Sequence, residues 1–419
     1  MKKLMFVIIL LFFSSSVSSA QNRFLIYMDA NQNNHLKAYG LAYWVLQQGK
    51  NIEWLLNYRG GSFLTNDSSS LRQEAALRGV SYEIIPESSI LNIYQEIENN
   101  NMDRVLLEKA PLIAVYTPPE KLPWDDAVTL ALAYAQIPYD KVWDKDVLTG
   151  KLVKYDWLHL HHEDFTGQYG KFYSSFFNAP WYIQQAYNYT AAAKEANFTT
   201  VPQHKNAVSR TIKAYVAQGG FLFAMCAACD SIDISLAATG IDIVSQEIDG
   251  TPVDPNAREK LDFNQTFFFK NFKIETSPFI YEFSDIDVSN YYIREDSGLE
   301  NFTLFEFSAK FDPVPAMLTQ NHTPRIKGFF GQTTSFNMAT IKDSAIIMGR
   351  VNNGNRAKYI HTNYRDGSVT FYGGHDPEDF SHKVGDPPTN LDLHKNSPGY
   401  RLILNNILFP AAKKFKRKT

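Results

Sequence analysis

The stretch Gly219-Gly220-Phe221-Leu222-Phe223-Ala224-Met225-Cys226-Ala227-Ala228-Cys229-Asp230 decides how the chain is read. Phe221 to Met225 is an unbroken apolar run of strand length, the pattern of a strand covered on both faces in a parallel sheet. Gly219-Gly220 ends the helix before it, which runs from Asn206 to Gln218 with Val208, Ile212, Tyr215 and Val216 on one face. A second helix follows from about Asp230 to Ala238, closed by Gly240. Helix, buried strand, helix is the repeating unit of an α/β fold. Cys226 stands at the carboxyl end of the strand, where open parallel sheets bind their ligands.

The same alternation extends outward. Ile113 to Tyr116, Val142-Trp143 and Trp157 to His161 read as strands, and Asp125 or Asp126 can cap a helix that runs through Ala135. Downstream, Ala345 to Met348 and Ser368 to Tyr372 are strands, and Pro398 opens a last helix that runs to Leu408. Near the start, Phe24 to Met28, a helix carrying Leu36, Tyr39, Gly40 and Tyr43, and Ile52 to Leu56 form a smaller α/β unit. Residues 241–344 differ, because Phe267, Phe268, Phe269, Phe302, Phe305, Phe307, Phe329 and Phe330 are interspersed with turn formers and helical periodicity fades. The expected architecture is α/β. A flavodoxin-like parallel sheet occupies 111–240 and 345–412, with an N-terminal α/β extension over 21–110, a β-rich insertion over 241–344 and a basic tail over 413–419.

Composition narrows the function. Of 419 residues, 44% are apolar, 14% aromatic and 20% charged, which suits large buried cores and excludes disorder and collagen-like repeats. Lys2 and Lys3, the apolar run Leu4 to Phe13, and Ser18-Ser19-Ala20 have the order of an export signal, so residues 1–20 are expected to be removed and the protein to reach the periplasm. No later stretch approaches the ~20 apolar residues of a membrane span. Without the two leader lysines and the five basic residues of the tail, 34 basic residues face 44 acidic ones. Such a body is a poor match for nucleic acid, and the expected partner is a small molecule, a peptide or a glycan.

Three strand ends carry chemically capable residues. A Cys between a strand and a helix sits on a sharp turn, and the helix N-terminus stabilises its thiolate. His375 arrives at the same sheet edge on a later strand and can take the thiol proton, with Glu378 or Asp376 orienting its ring. Backbone N–H groups of Ala227 and of the Thr166-Gly167 turn can hold an oxyanion, and His162 and Glu163 lie beside them as substrate contacts. No cofactor is expected. Three other readings remain: a Cys226–Cys229 pair working in redox or closed as a disulfide, a metal held by His159, His161 and His375, and a non-catalytic cleft in which Trp124, Trp157 and Trp181 stack on sugars.

Strand, helix, strand, Cys elbow and a distant His followed by Glu resemble the class I glutamine amidotransferase-like superfamily over roughly 111–240 and 345–410. That superfamily hydrolyses amides through a thioester, with Cys on a G-x-C-x-G elbow and a His-x-Glu pair. Here the elbow is Ala224-Met225-Cys226-Ala227-Ala228, and one extra residue separates His375 from Glu378. Phrases such as NHLKAYGLAYW, YDWLHLHHEDFTGQYG, GGFLFAMCAACDS and FYGGHDPEDF also resemble a family of exported Bacteroidota proteins that often carries the label asparagine synthetase B. The S-G-G-x-D-S pyrophosphate loop of a synthetase is absent from the sequence, so the resemblance implies amide hydrolysis with Cys226 as nucleophile and His375 as base.

Overall fold

A computed structural model describes residues 22–287, 301–352, 354–381 and 383–412. The export signal and the basic tail read from the sequence lie outside the described residues. The chain is a mixed α/β protein with two sheets.

The first sheet holds β1 (Arg23–Ile26), β2 (Ile52–Leu56), β3 (Ser62–Asn66), β4 (Glu83–Ile85) and β5 (Asp103–Leu107) in the order β4-β1-β3-β2-β5, and every pairing is antiparallel. Helix Glu87–Asn99 lays Ile90, Ile93 and Ile97, spaced three and four apart, on Leu25, Leu55 and Leu64 of one face. Helix His35–Gln47 covers the other face and is buried almost all round, since its far side packs on helices Ala127–Ala135 and Pro398–Leu408. Phe24 and Trp54 of the first sheet therefore share one apolar core with Tyr372 and Leu404 of the second half.

The second sheet contains β6 (Ile113–Tyr116), β7 (Asp140–Val142), β8 (Trp157–Leu160), β9 (Phe221–Met225), β10 (Phe302–Leu304), β11 (Arg325–Ile326), β12 (Phe336–Asn337), β13 (Ile346–Val351), β14 (Arg356–Tyr364) and β15 (Gly367–Tyr372). Its order is β11-β10-β13-β14-β15-β9-β8-β6-β7, with β12 paired to β14. β7, β6, β8, β9 and β15 run parallel. The pairings of β10 to β14, and that of β14 with β15, are antiparallel. The wholly parallel sheet expected from the sequence is thus corrected to a mixed one. Only Arg365 and Asp366 join β14 to β15, and a connection that short permits a hairpin alone, since a parallel neighbour requires a crossover of a dozen residues or more.

The β-rich insertion is also corrected. Among the described residues of 241–344 the strands are two or three residues long, and the rest is loop with short helices at Gln246–Asp249, Ala257–Lys260 and Pro313–Leu318. The apolar run Phe267-Phe268-Phe269 is buried without joining a strand, because its three backbone N–H groups donate to the buried carboxylate of Asp233 at 2.7, 2.8 and 3.1 Å. A side chain satisfies the amides that a sheet ladder would otherwise pair.

Candidate active site

The parallel register delivers two strand ends to one place. Tyr372 of β15 lies opposite Met225 of β9, so Cys226 and Gly373-Gly374-His375 leave the sheet side by side, and the Cys226 N–H donates to Gly374 O at 3.0 Å. Cys226 has φ +49°, in the left-handed region that a non-glycine residue adopts at a cost of about 1–3 kcal/mol. The chain then turns into helix Ala228–Ala237, whose first N–H donates to His161 O at 2.9 Å. Alanines therefore serve at both elbow positions flanking Cys226. The close approach falls instead on Gly331, where a Cβ would lie 2.7 Å from the backbone of Gly374 and His375. That contact seats Gln332, whose N–H donates to Cys226 Sγ at 3.3 Å.

His375 meets both Cys226 and Asp125. Its Nε2–H donates to Asp125 Oδ1 at 3.2 Å, and the ring stands against the Cys226 side chain. Burial alone would lower its pKa, but the hydrogen bonds to Asp125 and Cys226 and their charges outweigh burial and push it up to about 10. Burial raises the Asp125 pKa, yet the His375 bond and charge leave it below the usual carboxylate value. Asp126, its neighbour in sequence, turns the other way. Oδ1 caps helix Ala127–Ala135 through Thr129 N–H at 2.8 Å, and Oδ2 lies 3.3 Å from His159 Nε2 and 3.4 Å from His161 Nδ1.

Neither carboxylate expected to orient His375 does so. Asp376 accepts the Glu378 N–H at 2.8 Å and the Tyr400 hydroxyl at 2.7 Å, while Glu378 pairs with His394 Nδ1 at 3.1 Å. Residues at i+1 and i+3 of a tight turn satisfy the turn first, and the ring is left to a partner 250 residues away. The Thr166-Gly167 turn is corrected as an oxyanion donor too, because Thr166 N–H is spent on Asp164 Oδ1 at 2.7 Å and Gly167 packs on Pro202. Glu163 is buried and accepts the His161 N–H at 2.9 Å, with burial raising its pKa to about 8. Ala227 follows Cys226 at the head of the helix, where first-turn N–H groups have no intrahelical acceptor. Its N–H and that of Gln332 are the oxyanion donors the geometry offers. Asp125 and Gln332 were missed as site residues. Asp125 was legible only as one of two helix caps, and Gln332 has no sequence signal beyond the glycine before it.

Cys226, 3% exposed, lies at the wall of a cavity of about 640 Å³ that also includes His162, Gln332, Lys171 and an aromatic wall of Trp124, Phe172, Phe176, Phe279 and Tyr281. Tyr169, Gly170 and Lys171 have φ of +51°, +70° and +60°, and this left-handed turn brings the Lys171 ammonium to the cavity. Its Nζ donates to Ser277 O at 2.7 Å, Glu275 O at 2.9 Å and Gln168 Oε1 at 3.3 Å, and burial lowers its pKa to about 8. Of the three tryptophans noted in the sequence, Trp124 lines the cavity and Trp181 backs it edge-on at 5.2 Å. Trp157 is fully buried against His159 and is part of the core.

Cys226 and Cys229 are both free thiols. Cys229 is fully buried, its Sγ lies 3.9 Å from Tyr372 O, and burial pushes its pKa well above the ordinary thiol value. Such a thiol does not serve disulfide exchange. The metal set expected from the sequence divides in two: His161, His162 and His375 form one group of converging ligand atoms, and Asp126, His159 and His161 the other.

No protein-family model matches the chain, and no curated protein does. Among solved structures it is similar to the cytoplasmic protein STM3548 from Salmonella typhimurium, with 11% identity, TM-score 0.35 and coverage of 73% of this chain and 100% of that one. The cytoplasmic protein STM1381 from Salmonella typhimurium LT2 gives 13% identity, TM-score 0.35, and 72% and 99% coverage. Gan42B, a GH42 β-galactosidase, gives 8% identity, TM-score 0.29, and 64% and 28% coverage. Likenesses of this strength decide neither fold family nor activity. No helix among the described residues is long and apolar enough to cross a membrane.

Proposed function

We propose that the protein is an exported cysteine hydrolase of a carbon–nitrogen bond in an amide or peptide, built on a core of the class I glutamine amidotransferase-like type. The observation that carries the reading is the line Cys226, His375, Asp125, with Cys226 in a left-handed elbow at the wall of a cavity. The parallel strands β7-β6-β8-β9-β15 support the core assignment, since numbered along the chain their order is 2-1-3-4-5, that of the flavodoxin-like sheet. The sequence of residues 1–20 supports export, and N-terminal sequencing of secreted protein should begin at Gln21.

In this reading His375 holds the proton of the Cys226 thiol. Sγ attacks the substrate carbonyl carbon, and the oxyanion turns to the N–H groups of Ala227 and Gln332. His375 gives its proton to the leaving nitrogen, which departs as the amine and leaves a thioester on Cys226. Water, deprotonated by the now neutral His375, then releases the acid. Cys226→Ser should abolish amide turnover and the covalent adduct seen at this position by peptide mass spectrometry, with folding intact; unchanged turnover ends the proposal. The aromatic wall favours a second reading, a cell-envelope protein that binds a glycan or peptide without cleaving it. That reading requires saturable binding that survives Cys226→Ser and predicts no turnover in the parent chain.

A further inference from the structure

We propose that His161, His162 and His375 form a transition-metal site over the nucleophile, suited to zinc, and that metal bound there silences Cys226 by occupying His375. The silencing rests on the hydrolase reading, whereas the binding does not.

Each of the three rings offers one nitrogen, and these nitrogens lie within 4.8 Å of one another. Two of the rings hold their other nitrogen against a carboxylate: His375 Nε2 on Asp125 at 3.2 Å and His161 Nδ1 on Asp126 at 3.4 Å. On His375 the Asp125 carboxylate takes the ring N–H, which is the outer-shell arrangement of a metal-ligating histidine. Consecutive acids, Asp125 and Asp126, thus stand beside two of the three rings. Both nitrogens of the fully buried His161 ring lack a hydrogen-bond partner among the described residues, an uncommon state for a buried polar side chain.

The donor set selects the ion. Three imidazoles with a thiol beside one of them suit zinc, which takes nitrogen and sulfur in a tetrahedron. Nitrogens around zinc stand roughly 3.4 Å apart for bonds of about 2.1 Å, so nitrogens now within 4.8 Å must close by up to about 1.4 Å, and the His161 and His162 rings, stacked at 4.0 Å and 11°, must tilt to bring both lone pairs to one ion. His162 has the room, being only partly buried and lining the cavity through which an ion would enter. His159 does not belong to this set, because its Nδ1 faces Phe223 O at 3.2 Å and its Nε2 faces Asp126. A metal on His375 displaces the proton that the ring holds from Cys226. That proton leaves to solvent, and the thiolate can close the tetrahedron as the fourth ligand.

The test is calorimetric titration of the chelator-stripped full-length chain with zinc, together with cobalt(II) absorption spectroscopy. One equivalent should bind, at least tenfold more weakly in His161→Ala and in His162→Ala, and about 10- to 100-fold more weakly in Asp126→Asn. Cobalt should give a tetrahedral spectrum whose thiolate charge-transfer band disappears in Cys226→Ser while one-equivalent binding persists. Zinc should slow alkylation of Cys226 by iodoacetamide in the parent and not in His162→Ala, a cavity-facing variant that guards against misfolding of His161→Ala. Absence of saturable binding, or binding unchanged in both histidine variants, overturns the site; zinc that binds without slowing alkylation overturns the silencing. Loss of zinc binding with amide turnover intact defeats this inference alone. A metal-free chain without turnover that still binds one zinc removes the hydrolase and leaves the metal site.

Discussion

Replacing Asp125 by Asn separates the observed orienting acid from the acids nearer to His375 in sequence. The rise of the His375 pKa from the ordinary 6.5 to about 10 corresponds to roughly 5 kcal/mol of preference for the imidazolium, at about 1.4 kcal/mol per pH unit. Asp125 and Cys226 supply it against the cost of burial. If Asp125 supplies half, Asp125→Asn lowers the His375 pKa by about two pH units, to near 8. A raised histidine pKa holds the imidazolium at pH values below it and loses it as pH passes through it. Alkylation of Cys226 by iodoacetamide and NMR titration of His375, both from pH 5 to 11, read the two side chains. The parent should keep the imidazolium to about pH 10 and the variant only to about pH 8. Amide turnover should fall by about 10³- to 10⁴-fold, the scale seen when an orienting Asp becomes Asn and the histidine tautomer is lost. Glu378→Gln should leave both profiles within about half a pH unit. A normal His375 titration in Asp125→Asn, or a large shift in Glu378→Gln, would refute the assignment.

Gly331→Ala places a Cβ 2.7 Å from the backbone of Gly374 and His375, where no flexible side chain can yield, so it should cost about 1–3 kcal/mol in urea unfolding and slow Cys226 alkylation as His375 is displaced; parental stability and alkylation would show that the loop seats nothing. For Glu163, the folded pKa of about 8 exceeds the ordinary 4.5, so the folded state holds the proton more tightly and stability should fall as pH rises from about 4.5 to about 8. Glu163→Gln keeps an acceptor for the His161 N–H without ionising, and its stability relative to the parent should rise by about 4 kcal/mol between pH 5 and 8.5; a flat difference across that window would show that Glu163 ionises without penalty.

The elements that were legible are those whose burial is written into their own residues. β9 is apolar at every position because helices and strands cover both faces, and helix Pro398–Leu408 announces its first turn with Ser397 and Pro398. Strand direction is not written that way. Periodicity distinguishes a strand from a helix, but β13, β14 and β15 run antiparallel because of what joins them, and the short links after Val351 and after Tyr364 betray it. Residues 267–269 stay out of a strand for a related reason. Three phenylalanines signal burial, yet whether they form a strand depends on who takes their amides, and the acceptor is Asp233, on another helix.

The site divides along the same line. Cys226 and His375 stand at the ends of strands that β9 and β15 bring into register, so their meeting follows from the fold. The third partner does not, because a His-x-x-Glu reading assumes that the nearest acid is the free one. Asp376 and Glu378 sit in a turn, and their carboxylates are taken by Tyr400, His394 and the turn's own amide. Asp125 is available because its neighbour is not: Asp126 spends one oxygen on the helix cap and the other on His159 and His161. With the cap filled from one side, the preceding carboxylate is released toward the sheet end where His375 emerges. A pair of adjacent acids at a helix start, one capping and one left over, is therefore a site signal that position along the chain alone conceals.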